Sequence, residues 1–184
     1  MKFKFSIQEM SIIAIFTALT AVMAQISIPL PFSPVPITFQ LFAIFLSSFI
    51  LESRLATASQ IIYVMLGAIG IPVFANFSGG LHSIIGPTGG FIISFPISAF
   101  IASKVSENKK SLFVLIIGLI ASLLVCYSMG VIQLSFITKI SISKSIMIAV
   151  VPFIPLDVIK ICLAYILGIR IKKSLRKANL LQQP

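Results

Sequence analysis

Six apolar segments, separated by short polar, proline-rich or glycine-rich stretches, constrain this chain more than any other feature of its sequence. The segments are residues 7–28, 37–51, 55–71, 91–103, 112–130 and 146–169. A helix needs about 20 mainly apolar residues to cross a lipid bilayer, and these segments reach or approach that length. Only 10% of the residues are charged, whereas soluble proteins carry roughly 25%. The sequence therefore predicts an all-α fold, a polytopic membrane protein with a bundle of about six transmembrane helices.

The positions of the lysines and arginines predict how such a bundle is oriented. An even number of spans puts both termini on the same side of the membrane. The basic residues on that side would be Lys2, Lys4, Arg54, Lys104, Lys109, Lys110, Arg170, Lys172, Lys173, Arg176 and Lys177. The opposite side would hold Lys139 and Lys144. Basic residues favour the cytoplasmic side, so we predict a multi-pass protein of the cell membrane with cytoplasmic N- and C-termini and a basic cytoplasmic tail from about residue 170.

The net charge of +10 does not indicate a nucleic-acid partner. The basic residues lie in clusters between apolar segments, whereas a nucleic-acid surface gathers them on one face among polar and aromatic residues. No internal repeat or low-complexity linker divides the chain, so residues 1–184 are predicted to form a single membrane-embedded, substrate-binding domain. The sequence contains no nucleotide-binding P-loop, and we expect no cofactor and no metal site.

Three stretches between the segments are predicted to face the outside: residues 29–36, 72–90 and 131–145. The first contains four prolines and is predicted to be an extended, stiff connection. The second is rich in glycine. Irregular backbone at a membrane is tolerated where it is buried in protein or lines a cavity. We therefore expect the binding site on the outer face.

Asp157 and Lys160 are the strongest candidates for a site, because both are charged and both lie in the last apolar segment. Their i, i+3 spacing places them on one face of a helix. Each charge costs about 2.5–3.5 kcal/mol in the middle of a membrane helix, and such charges usually mark function. Pro152 and Pro155 favour a helix start just before Asp157, where a carboxylate is stabilised. The alternative is a neutral ion pair that only packs helices.

The glycine-rich stretch gives a weaker signal. Asn76 and Thr88 offer hydrogen bonds to a ligand, and glycines such as Gly89 and Gly90 let the backbone approach it closely. A plain connecting loop would fit this composition equally well. Gln40 either lines a cavity or pairs two helices.

Ala14 and Ala18 lie four residues apart on the first helix. This spacing of small residues lets another helix approach closely, although it also arises often by chance.

Four stretches of this sequence, taken in order, are similar to one known family. They are Pro-Val-Pro-Ile-Thr-Phe-Gln at 34–40, the run from Tyr63 to Ala75, Gly-Pro-Thr-Gly-Gly at 86–90 and Pro-Phe-Ile-Pro-Leu-Asp-Val-Ile-Lys at 152–160. In these residues the chain resembles the BioY family, the biotin-binding S components of energy-coupling-factor transporters. The resemblance implies a six-helix membrane protein that binds biotin from outside with high affinity. It also implies a site that includes Asn76, Asp157 and Lys160, lined by Thr88 and the neighbouring glycines.

The same resemblance implies partners. Ala14 and Ala18 would contact a transmembrane coupling protein that is served by two ATPase subunits, and residues 29–36 would act as a lid. The chain itself would be a binding subunit and not an enzyme. Two alternatives stay open from the residues alone. One is an ion-coupled small-molecule carrier with Asp157 as a proton site, and the other is an intramembrane enzyme with Asp157 or His82 as the acid–base group.

Overall fold

The computed structural model of the chain describes residues 5–107 and 112–178. In chain order the elements are α1 (Ile7–Gln25), β1 (Ser27–Leu30), β2 (Ser33–Thr38), α2 (Gln40–Ile50), α3 (Ser53–Ala68), a 3-10 turn (Ala75–Phe77), α4 (Leu81–Ile85), α5 (Gly89–Glu107), α6 (Leu112–Thr138), α7 (Ile142–Ala149) and α8 (Ile154–Lys177). The described chain is therefore mostly helical, as predicted, with one small sheet in addition.

Three of these helices, α1, α5 and α6, are long and apolar enough to cross a membrane. A fourth span results if α7 and α8, which meet at a bend of 51°, are counted together. The helices α2 and α3 are shorter, with 11 and 16 residues. By length and composition, the part of the chain that the structure describes thus contains three or four helices that could cross a membrane. Lys2, Lys4, Lys109 and Lys110, which contribute to the predicted orientation, lie outside the described residues.

The short helix α2 lies at the centre of the bundle. Every residue of α2 except Leu41 is buried, and the helix packs against α1, α5 and α8. A helix that is apolar on all sides is stable only when it is surrounded by other elements. Its two serines, Ser47 and Ser48, donate their hydroxyl hydrogens to the carbonyl of Ile44 at 2.7 and 2.8 Å. Because of these bonds, both hydroxyls are buried and still have a hydrogen-bond partner.

The proline-rich connection between α1 and α2 forms an antiparallel hairpin of β1 and β2. Extended backbone was expected here, but the pairing of the two strands was not, so the fold is not purely all-α. Ile28 pairs with Ile37, and the register becomes irregular between Ile28 and Leu30. Pro29 lies at this irregularity, and a proline has no N–H for a ladder hydrogen bond. The hairpin covers the start of α2.

The prediction of an outer loop at residues 131–145 was wrong for most of its length. Helix α6 continues to Thr138 and α7 begins at Ile142. Polar side chains in this part of the chain have hydrogen-bond partners inside the fold. The side chain of Gln133 donates to the carbonyls of Ile84 and Gly86 at 2.7 and 2.8 Å. Hydrogen bonds of this kind let a long helix carry polar side chains at positions where it packs against its neighbours.

Candidate substrate-binding site

A cavity of about 260 Å³ lies at one end of the bundle, beside the hairpin. Its walls come from β2, the start of α2, the turn after α3, the start of α5, the middle of α6 and the α7–α8 bend. The lining residues are Pro34, Val35, Pro36, Thr38, Gln40, Leu41, Phe74, Ala75, Asn76, Ser78, Thr88, Phe91, Ile92, Phe95, Cys126, Tyr127, Ala149, Phe153, Asp157 and Lys160. Apolar walls with a few polar groups are typical of sites for small molecules.

The polar wall of the cavity is built around Asp157, whose side chain is almost completely buried, with 1% exposed. Lys160 Nζ donates to Asp157 Oδ1 at 2.8 Å, and the Tyr127 hydroxyl donates to Asp157 Oδ2 at 2.6 Å. Helix α8 begins at Ile154, with Pro155 in its first turn. This is the helix start predicted from the prolines, and it places Asp157 near an N-terminus that stabilises negative charge.

Lys160 completes this wall, with 6% of its surface exposed. An ammonium group has three N–H donors, and one of them is used in the bond to Asp157. The pair therefore presents a carboxylate and an ammonium group side by side at the cavity. Such a surface complements a ligand that carries both hydrogen-bond donors and acceptors.

Gln40 forms a second polar patch at the start of α2. Its amide nitrogen donates to the Tyr63 hydroxyl at 2.6 Å, and that hydroxyl donates to the carbonyl of Val73 at 3.0 Å. The Thr38 hydroxyl donates to Gln40 Oε1 at 3.0 Å. Gln40 thus both lines the cavity and connects the hairpin to α3 and to the stretch that follows it. The sequence left two roles open for Gln40, to line a cavity or to pair two helices. In the structure it does both.

Asn76 reaches the cavity from the 3-10 turn after α3. Its backbone is in the left-handed region, with φ 57° and ψ 36°, which asparagine adopts more readily than most residues. The Ser27 hydroxyl donates to Asn76 Oδ1 at 2.6 Å. The Gln25 side chain holds the same turn, because it accepts from the Phe77 N–H at 2.8 Å and donates to the carbonyl of Phe74 at 3.1 Å. The end of α1 and the start of β1 therefore fix the position of Asn76.

Thr88 lines the cavity, but Gly89 and Gly90 do not belong to its lining. A Cβ atom on Gly89 would lie 1.7 Å from the carbonyl oxygen of Ile84, and one on Gly90 would lie 2.2 Å from that of Met129. Both distances are far below van der Waals contact, so the two glycines let α5 begin tightly against α4 and α6. Helix packing explains their place in the structure, and a contact of Gly89 or Gly90 with the ligand stays a prediction.

The sequence analysis missed Tyr127 and Tyr63. Each lies in an apolar helix, remote in sequence from the group that it contacts, and neither has a local pattern that identifies its partner. The signal that was available is the small number of tyrosines, three in the whole chain. A phenol hydroxyl that is buried in an apolar helix needs a hydrogen-bond partner. Each tyrosine in such a helix therefore indicates that a polar group lies nearby.

Ala14 and Ala18 lie away from this site, on an exposed face of α1. They line an apolar groove of about 690 Å³ between α1 and α3. The residues that line the groove are Phe5, Met10, Ile13, Ala14, Thr17, Ala18, Ala21, Val22, Ala58, Ile62, Leu66 and Val73. We call this surface the α1–α3 groove. Its small residues leave the backbone of α1 accessible to another helix.

Comparison with known proteins identifies the family. The model of the BioY family matches residues 1–177. The chain belongs to the BioY family. This membership confirms the resemblance found in the four sequence stretches.

Two BioY relatives illustrate how much of the chain is shared. The biotin transporter BioY of Thermotoga maritima is 43% identical over 159 residues, which cover 86% of this chain and 92% of that protein. The probable biotin transporter BioY of Pyrococcus horikoshii is 42% identical over 165 residues, which cover 90% of this chain and 96% of that protein. A crystal structure of the S component for biotin from an ECF-type ABC transporter has a TM-score of 0.82 and 29% identity, and covers 91% of this chain and 92% of that one. This chain is thus similar to these proteins over nearly its whole length.

The buried ion pair leads to a prediction about stability. In Lys160→Met the carboxylate of Asp157 stays buried without its cation, which should destabilise the fold by about 3–5 kcal/mol. In the double variant Asp157→Asn with Lys160→Met both charges are removed, so most of this loss should be recovered. Thermal unfolding in detergent measures both effects. Lys144→Met, which removes an exposed lysine, is the control and should melt like the wild type. Equal melting temperatures for wild type and Lys160→Met would contradict the prediction.

Proposed function

We propose that this chain is the high-affinity biotin-binding S component of an energy-coupling-factor transporter, and that it mediates biotin uptake with an ATP-driven coupling module. The observation that carries the proposal is the likeness to the S component for biotin, which extends over 91% of the chain. The relatives from Thermotoga and Pyrococcus, both named as biotin transporters, support the same conclusion. In this role the chain is a transporter subunit and not an enzyme.

The chemistry of the cavity is compatible with biotin. The ligand has a cyclic urea with two N–H donors and a carbonyl acceptor, an apolar ring with a thioether, and a chain that ends in a carboxylate. Asp157 supplies an acceptor for N–H groups, and Lys160 supplies a donor for a carbonyl or a carboxylate. Phenylalanines and aliphatic side chains of the lining would cover the apolar ring. We propose Gln40, Asn76 and Thr88 as further contacts, since all three line the same cavity.

We also propose that the chain crosses the cell membrane six times, with α1, α2, α3, α5, α6 and the bent α7–α8 pair as spans. Several contacts support a common cytoplasmic end for these helices. Arg54 at the start of α3 pairs with Glu9 at the start of α1 at 3.2 Å. The Glu107 carboxylate at the end of α5 accepts from the backbone N–H of Ser53. The cavity lies at the opposite end, which in this orientation faces outward.

The α1–α3 groove is the surface that we propose for the transmembrane coupling protein, which would bring two ATPase subunits. The groove is almost entirely apolar, and its lining includes the exposed positions Ala14 and Ala18 of α1. Ala14 and Ala18 would let a partner helix approach α1 closely in the bilayer, where association depends on tight packing. The groove and the cavity are separate, so each function can be tested alone.

Biotin binding is the first test. Purified wild type titrated with biotin in a calorimeter should bind one molecule tightly. Asp157→Asn and Lys160→Ala each remove a buried charged partner of the ligand, so affinity should fall by about 100-fold or more. Thermal unfolding checks that each variant is folded. Lys144→Ala is the matched control and should bind like the wild type. No heat of binding in the wild type would refute the assignment to biotin.

Docking of the coupling protein is the second test. Ala14→Trp places a large side chain in the α1–α3 groove, and should abolish co-purification of the coupling protein while biotin affinity stays within about twofold of the wild type, since the cavity is untouched. Ile15→Trp is the control, because Ile15 is 63% exposed but does not line the groove. If Ala14→Trp still retains the coupling protein, the groove faces lipid and the partner binds elsewhere.

Orientation is the third test, and it uses exposed positions between the helices. In a background in which Cys126 and Cys162 are replaced by alanine, single cysteines are introduced as Glu52→Cys or Lys139→Cys. A membrane-impermeant maleimide added to intact cells should label Lys139→Cys but not Glu52→Cys, and both should react after the membrane is permeabilised. Labelling of Glu52→Cys in intact cells would contradict the proposed arrangement of spans with cytoplasmic termini.

A further inference from the structure

The helices α6 and α8 both line the cavity and pack on different neighbours. Helix α6 packs along α5 and against α7, whereas α8 packs along α2. The hydrogen bond from the Tyr127 hydroxyl to Asp157 Oδ2, at 2.6 Å, therefore connects two adjoining walls of the cavity. Both residues line the cavity and both are largely buried, with 9% and 1% of their surfaces exposed.

This bond differs from the contact between Lys160 and Asp157. Asp157 and Lys160 are three residues apart on α8, so their ion pair moves with that helix and does not fix the carboxylate relative to the other walls. Within residues 5–107 and 112–178, the Tyr127 bond is the side-chain hydrogen bond that relates the Asp157 carboxylate to another helix. A charged acceptor that is buried in apolar surroundings strengthens such a bond.

We propose that Tyr127 is a positioning residue for biotin: it holds the Asp157 carboxylate at a fixed place and angle in the cavity and determines affinity through Asp157. The inference rests on the proposed function, and it adds a residue of α6 to the ligand site. Pre-organisation of a binding group reduces the cost of ordering it when the ligand arrives. The phenol hydroxyl provides this order, and the ring of Tyr127 serves separately as part of the cavity wall.

The first test of this proposal is Tyr127→Phe, which keeps the ring and removes the hydroxyl. Biotin affinity should fall by about 10- to 100-fold, as for the loss of a hydrogen bond to a charged group. Tyr165→Phe is the matched control, because Tyr165 packs on Phe49 and does not line the cavity, and its affinity should equal that of the wild type. Unchanged affinity in Tyr127→Phe would overturn the inference.

A double-mutant cycle separates positioning from a general structural effect. If Tyr127 acts through Asp157, Tyr127→Phe should cause little further loss in an Asp157→Asn background, measured by calorimetry at high protein and ligand concentration. In an Asn76→Ala background its effect should be fully additive, because Asn76 shares no described partner with Tyr127. A loss of the same size in both backgrounds would show that the hydroxyl acts independently of Asp157, and would overturn the proposal.

A spectroscopic measurement tests the bond without any ligand. The chain has no tryptophan and three tyrosines, so its near-ultraviolet absorption is dominated by tyrosine. Asp157→Asn should shift the tyrosine band of the ligand-free protein, and this difference should disappear when Tyr127→Phe is also present but persist with Tyr165→Phe. Absence of the difference would overturn the inference. Failure of the wild type to bind biotin would refute the proposed function instead. The spectroscopic result would still test the hydrogen bond, because it is measured without a ligand.

Discussion

The burial of one ion pair in an otherwise apolar bundle is the constraint on which the rest of this structure depends. A carboxylate and an ammonium group in low-dielectric surroundings are tolerated only if their remaining hydrogen-bonding groups find partners. Here the start of α8 gives Asp157 a favourable helix end, Lys160 supplies its cation, and Tyr127 reaches it from α6. Two helices, α6 and α8, therefore provide the partners of one side chain, and both helices line the cavity.

The shortness of the central helix α2 is a second constraint on the same bundle. A helix of 11 residues is about 16 Å long, roughly half the thickness of the hydrocarbon core. The hairpin leads directly into α2, and Gln40 at the junction connects the hairpin to Tyr63 on α3. The cavity lies at this junction, where β2 and the first residues of α2 form part of its wall.

Sequence reasoning predicted those parts of the structure that local patterns determine. The helix start at Pro155, the helical segments and the pairing of Asp157 with Lys160 all follow from hydropathy, proline chemistry or an i, i+3 spacing. It failed where the partner is distant in sequence. Tyr127 and Asp157 are 30 residues apart, and Gln133, in the stretch that was predicted to be a loop, is held by carbonyls of α4 and the following turn. For Gly89 and Gly90, a sequence does not show whether the backbone closely approaches a substrate or a helix; the structure shows the approach to α4 and α6, and the ligand contact stays a prediction.

The hairpin has a further consequence for a protein that is crowded in a membrane. Two strands leave two open edges, and open edges recruit strands from neighbouring molecules. In this hairpin Pro29 interrupts β1, and Pro34 and Pro36 interrupt β2, so the edges lack the N–H groups that a regular intermolecular ladder requires. The prolines that make the segment extended thus also disfavour edge-to-edge pairing between copies of the protein.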